Sequence, residues 1–285
     1  MKPNIQAFFD PNTSAISYII CEPNNNCAII DPILDYDPAI ARTSTIIVNR
    51  MIDYIDKNNL SVEWILETHA HSDHLSAAGY LKKQLGGRTG IGNCIIQVQK
   101  RFNQLFNLGA GFKTDGSQFD HLFADEEHFQ IGSLEAQVLH TPGHTPACVT
   151  YVIANVAFVG DTLLMPDYGT ARADFPGGSA EAMYNSIQRI YKLPEETRLF
   201  TGHDYLLSGR QPRWESTVAE QKACNLLINS RISKETFIQK RTERDRISSP
   251  PPLILHSLQI NIQGGELPLP EDNGISYLKL PLNQL

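Results

Sequence analysis

Residues 68–74 read Thr68-His69-Ala70-His71-Ser72-Asp73-His74. Three imidazoles and a carboxylate fall between His69 and His74, directly after an apolar stretch over 62–67 with the character of a strand. Downstream, Leu75, Ala78, Leu81 and Leu85 recur at helical spacing. The cluster is therefore expected where a strand gives way to a helix over 73–85, with Asp73 and His74 on that helix's first turn. His69 and His71 lie two apart in extended chain and face the same way. Neutral imidazoles and a carboxylate converging on one cation are what a metal site requires. A merely polar loop of this composition would crowd unpaired polar groups against a core strand, which is costly. The metal reading is the one carried forward.

Composition narrows the class. With 285 residues, 41 % hydrophobic and 19 % charged, the chain can bury the core of a soluble enzyme. The formal net charge of −7 and the lack of a basic stripe argue against nucleic acid as a partner. No apolar run approaches the ~20 residues that cross a bilayer, so no membrane span is expected. Met1-Lys2-Pro3-Asn4 leads into no long apolar segment, so no secretory signal is expected either. The cysteines are Cys21, Cys27, Cys94, Cys148 and Cys224, an odd set without a C-x-x-C pair. That pattern fits reduced thiols and a cytoplasmic location.

Along the chain, strands are expected near 5–9, 15–21 and 27–31, with Asp31-Pro32 ending the third. Asp35-Tyr36-Asp37 reads as a polar loop: either turn formers or a segment reaching the site. A helix over 44–57, with Ser44 as N-cap, precedes the strand at 62–67. A short strand at 89–91 and a helix over 94–108 follow. His121 and His128 are isolated and are taken as non-ligands. The second half repeats the style, with strands at 127–131, 134–139, 148–153 and 156–160, a helix at 179–191 and a strand at 198–201. Two strand-rich halves, each closed by helices, imply an α/β fold: two mixed sheets face to face with helices outside. Residues 1–285 are read as one domain, with 206–285 packed on it as helices near 213–228 and 233–243 and an extended tail. Pro250-Pro251-Pro252 opens that tail, and a late strand is expected at 277–280.

Three later segments carry further candidate ligands, each where a strand meets a loop. They are His144 within Thr141-Pro142-Gly143-His144-Thr145-Pro146, Asp161 after Gly160, and His203 in Gly202-His203-Asp204-Tyr205. Donors on rigid strand ends hold a metal more tightly than donors on loose loops. In this order, H-x-H-x-D-H, Thr-Pro-Gly-His, Gly-Asp and a late His, the chain resembles the metallo-β-lactamase superfamily over residues 5–205. The resemblance implies a four-layer αβ/βα sandwich. In its two-metal members the pattern places His69, His71 and His144 on one ion, Asp73, His74 and His203 on the other, and Asp161 between them.

Narrower segments are similar to the persulfide dioxygenase branch and its bacterial β-lactamase-hydrolase-like members. These are Thr-Pro-Gly-His-Thr-Pro-Ala-Cys at 141–148, the run from Gly160 to Phe175, Ser216 to Gln221, and Leu258-Gln259-Ile260-Asn261-Ile262. That branch implies one Fe(II) per chain on His69, His144 and Asp161, with open positions for substrate sulfur, O2 and water. The implied reaction oxidises glutathione persulfide with O2 and water to sulfite and glutathione, and relatives imply a homodimer. His71, Asp73, His74 and His203 then line the pocket and tune the iron. Arg172 has two open readings, a fork for a glutathione carboxylate or an internal pair with Asp174. Tyr205 is assigned by the resemblance to the pocket mouth, as a substrate contact or as packing. Position 173 is Ala, where relatives are expected to carry Cys or Thr, so no side-chain role is assigned there. Cys148 is read as core. The competing enzyme reading is a two-zinc glyoxalase II-type hydrolase of acylglutathione thioesters, for which all seven ligand residues are present. A catalytically silent sensor has no evident reason to keep so many converging donors. A β-lactamase proper would carry an export signal.

Overall fold

Alternate residues of β2 (Ile16–Cys21) enter different cores. Ile16, Tyr18 and Ile20 point into a layer between two sheets, whereas Ile19 and Cys21 face helices. This period of two, repeated by the neighbouring strands, dictates the layering. The computed structural model describes residues 2–206 and 209–284.

The first sheet runs β1 (Asn4–Phe9), β2, β3 (Asn26–Ile30), β6 (Ser61–Leu66), β8 (Arg88–Gly92) and β9 (His121–Phe123). Its first three strands pair antiparallel and the rest parallel. The second sheet runs β10 (His128–Ile131), β11 (Leu134–His140), β12 (Val149–Ile153), β13 (Val156–Gly160), β14 (Arg198–Thr201) and β15 (Glu215–Thr217). Only its β13–β14 pair is parallel among these. Tyr18, Ala28, Leu66 and Phe123 from one sheet meet Val138, Tyr151, Phe158 and Phe200 from the other. A fully buried side chain of this kind contributes roughly 1.5–3 kcal/mol before its ordering cost.

Helices close both outer faces. α1 (Ile46–Lys57) and α2 (Ala78–Leu85) press Val48, Met51, Ile55 and Leu81 onto Ile19, Ile29 and Ile65. α3 (Ile95–Phe106) packs beside α7 (Ile254–Asn261) over Ile91. On the far side, α4 (Ala180–Ile190), α5 (Val218–Cys224) and α6 (Lys234–Arg246) cover Ala157, Val159 and Leu199. The expected αβ/βα sandwich is thus present.

Several local expectations differ from the structure. α2 begins at Ala78, so Asp73 and His74 sit in the bend before it. The intervening Leu75–Ser76 forms a two-residue strand, β7, on β4 (Ile33–Asp37), which also pairs with β5 (Arg42–Ser44). Asp35-Tyr36-Asp37 therefore belongs to a strand. Asp35 Oδ2 accepts from the Ile47 N–H (2.9 Å) and caps α1 in place of Ser44. The helix expected from 213 starts only at Val218, because 215–217 extends the second sheet and Arg198 clasps Glu215 (2.6 Å). The expected tail contains α7, whose apolar residues find cores on both sides, and 277–280 forms no strand.

Candidate metal centre

The loops after β6, β11, β13 and β14 open on one edge of the sandwich. His69 follows β6, His144 follows β11, Asp161 follows β13 and His203 follows β14. The approach is close enough to demand glycine at Gly160, whose φ is +50° and where an added Cβ would lie 2.5 Å from Thr68 Oγ1. At Gly143 an added Cβ would lie 2.3 Å from the Met183 backbone, so the turn carrying His144 can seat directly on α4.

His69, His144 and Asp161 are buried and bring one donor atom each to within 4.8 Å of one another. Asp161 Oδ2 lies 3.7 Å from His144 Nε2 and 4.0 Å from His69 Nε2. The tautomers follow from the neighbours. His144 Nδ1 is 2.8 Å from the Arg172 carbonyl, an acceptor only, so Nδ1 carries a proton and Nε2 is the atom left to bind a metal. Thr68 Oγ1 donates to Asp31 Oδ2 (2.8 Å) and so accepts from His69 Nδ1 (3.0 Å), again leaving Nε2 bare. His69 Nε2 is buried without a hydrogen-bond partner among the described residues. Such an orphan is costly unless a cation takes the lone pair. Burial, then His71 and His144, keep His69 well below the usual histidine pKa, so it is neutral at pH 7. These residues fit a metal ion.

A second group, His71, Asp73 and His74, also brings its donors within 4.8 Å. Burial pushes both imidazoles down to about 4, so they too are neutral. His71 Nε2 is 3.0 Å from Asp31 Oδ1 and 3.5 Å from Glu67 Oε2. Burial, and then Asp31, raise the Glu67 carboxyl well above the usual range. His203 links the two groups, with Nδ1 2.6 Å from Asp161 Oδ1 and Nε2 2.5 Å from Asp73 Oδ2. Burial alone would lower its pKa, but Asp161 and Asp73 outweigh that and raise it, so His203 is an imidazolium donating to both acids. Burial would likewise raise Asp161, yet the charge and hydrogen bond of His203 hold it well below the carboxylate range.

A cleft of about 620 Å³ opens on His144, Asp161 and Asp73. Tyr205 lines it and stacks on His203, ring centroids 5.6 Å apart. Arg172 also lines it. Its Nε and Nη2 grip Asp174 (2.6 and 2.8 Å) and its Nη1 donates to the Ser249 carbonyl (2.6 Å), so the internal pair is the one formed. His121 pairs with Glu127 (2.5 Å) and belongs to no donor group among the described residues, and His128 is exposed. Cys148 is buried, and burial pushes its thiol up to about 12.

Sequence reasoning missed Asp31, Glu67 and Asn261. Asp31 had a readable signal, since it is a carboxylate at a strand end, like Asp161. The other two had none, because each depends on a contact that only the folded chain makes.

A family model for the metallo-beta-lactamase superfamily matches residues 12–203. The chain belongs to the metallo-beta-lactamase superfamily. A beta-lactamase hydrolase-like protein of Agrobacterium fabrum is 54 % identical over 284 residues, 99 % of this chain and 65 % of that protein. The chain thus spans about 65 % of the length of its first curated relatives. "Glyoxylase B2" of Dictyostelium discoideum is 51 % identical over 269 residues, 94 % and 92 % of the two chains. The persulfide dioxygenase ETHE1 of Homo sapiens is 27 % identical over 239 residues, 82 % and 79 %. The crystal structure of ETHE1 from Myxococcus xanthus superposes with a TM-score of 0.73 at 26 % identity, covering 92 % of this chain and all of that one. The superfamily match and the donor groups agree in giving the chain residues suited to a metal. No helix among the described residues is long and apolar enough to cross a membrane.

Proposed function

We propose that this chain is a mononuclear iron(II) persulfide dioxygenase acting on glutathione persulfide. The observation that carries the reading is the meeting of two bare imidazole nitrogens and one carboxylate oxygen, from His69, His144 and Asp161, beneath an open cleft. Two His and one carboxylate on one side of an ion, with the other side open, is the donor set of O2-using iron enzymes. Bound there, iron(II) would supply the electron-transfer steps between sulfur and O2 that zinc, lacking redox chemistry, does not. The reaction balances as glutathione persulfide, O2 and water giving glutathione, sulfite and two protons. The outer sulfur loses four electrons and O2 gains them.

The chain's own residues hold the donors. Asp31 and Thr68 fix the His69 tautomer, and the Arg172 carbonyl fixes that of His144. The His203 imidazolium occupies Asp161 Oδ1 and leaves Oδ2 facing the two imidazoles. In this reading His71, Asp73, His74 and His203 shape the pocket without holding iron. Tyr205 contacts the substrate at the mouth, while Arg172 frames the loop from its pair with Asp174. The cleft lies within the ~300–1,000 Å³ range of small-molecule sites. Residues 1–285 act as one unit in this proposal, in the cytoplasm and as a homodimer.

The second reading, a two-zinc hydrolase of acylglutathione thioesters, is favoured by the Dictyostelium relative's name and by the second donor group. Oxygen-electrode assays separate the two. Glutathione persulfide should drive O2 uptake with one sulfite formed per O2; hydrolysis of an acylglutathione without O2 uptake would overturn the dioxygenase reading. His71→Ala should keep most of its iron, measured by elemental analysis, whereas the two-zinc reading expects that variant to lose metal.

A further inference from the structure

The last residue of α7, Asn261, is buried and reaches 185 to 190 positions back along the chain. Its Nδ2 donates to the His71 carbonyl (2.7 Å) and to the His74 carbonyl (2.8 Å). Its Oδ1 accepts from the Ser76 N–H (2.7 Å). A carboxamide has two donor hydrogens and one acceptor oxygen, and here every one is used. Both carbonyls it holds belong to the second donor group, with Asp73 between them. That segment has no helix to stiffen it, because α2 starts only at Ala78.

Asn261 is itself held rigidly. Ile260 is buried in the core under α1 and α2, and Leu258 and Ile262 in the core beside α3. The chain then turns back through Gly264 and Gly265. At Gly265 (φ +80°) an added Cβ would lie 2.9 Å from the Ser76 carbonyl, so the return packs directly on the strand that Asn261 grips. Metal donors must be held to within about half an ångström of their working positions by the groups behind them.

We infer that Asn261 is the positioning residue of the second donor group, so that α7, and not the histidine motif alone, sets whether His71, Asp73 and His74 can hold a cation. The inference rests on the reading that His69, His144 and Asp161 form the first site. The test titrates the metal-free full chain with Zn(II) against a chromophoric chelator. Asp161→Ala and His74→Ala mark which equivalent belongs to which group. Asn261→Asp keeps the size and the acceptor but loses both donors; Asn261→Ala loses all three bonds, and thermal melts show that each variant is folded. The second equivalent should weaken by about 10-fold or more in either variant while the first stays within about threefold. Equal weakening of both equivalents, or an unchanged second one, overturns the inference. A wild-type chain that takes one equivalent even in excess zinc also overturns it, but leaves the one-iron reading standing. Failure of Asp161→Ala to remove any equivalent sinks that reading instead.

Discussion

Asp161→Ala is expected to leave the protein folded but unable to retain metal or turn over substrate. Asp161 supplies the carboxylate of the first donor trio, with Oδ2 3.7 and 4.0 Å from the two imidazole nitrogens. Two imidazoles without a carboxylate bind a divalent ion far more weakly. The loss should exceed the roughly 10–100-fold that removal of an outer-shell partner costs. The variant also frees His203 Nδ1 from its 2.6 Å bond, so the neighbouring group loses its link to the first. The backbone is spared, because the Asp161 carbonyl still accepts from Ala171. Elemental analysis and oxygen uptake on the same preparation check this. A variant that keeps both metal and activity would remove Asp161 from the site.

The largest stability effect is expected at Arg241, which lines the same cleft without being a donor. Arg241 and Asp245 form a pair on α6 with side chains 3 % and 6 % exposed, Nη2 to Oδ1 2.6 Å. Arg241 Nη1 also donates to the Thr170 carbonyl (3.0 Å), and Asp245 Oδ2 accepts from the Ala173 N–H (3.0 Å). Between those anchors lies Arg172, whose carbonyl sets the His144 tautomer. Arg241→Met strands a buried carboxylate, which costs roughly 3–5 kcal/mol. At ~2–4 °C per kcal/mol, the melting temperature should fall by roughly 10 °C. Metal affinity should fall too, since the loop behind His144 loosens. Arg241→Met with Asp245→Leu should recover part of the stability, because no unpaired charge remains. Calorimetry on the two variants decides, and a single variant that melts within about 2 °C of wild type would contradict the role given to the pair.

How much of this was legible beforehand depended on sequence distance. Alternating apolar residues such as Ile16, Tyr18 and Ile20 reveal a strand because their period is local. The order of His69, His144, Asp161 and His203, each at a strand end, carried the resemblance that implied the αβ/βα sandwich. Asp73 and His74 were misplaced onto a helix because β7 is two residues long and exists only by pairing with Ile33 and Leu34. Arg241 and Asp245, four apart on a polar helix, carry no local signal of burial; their contacts with Thr170 and Ala173 exist only in the folded chain. Asn261 was invisible as a positioning residue because its partners are 185 to 190 residues away. The bond from Arg172 to the Ser249 carbonyl was not legible because the two residues lie 77 positions apart.

Metal identity and stoichiometry, measured on protein purified without added metal, bear most directly on the central claim. The account predicts iron close to one ion per chain, lost in Asp161→Ala and kept in His71→Ala. Two zinc ions per chain, with no oxygen consumed on glutathione persulfide, would contradict it.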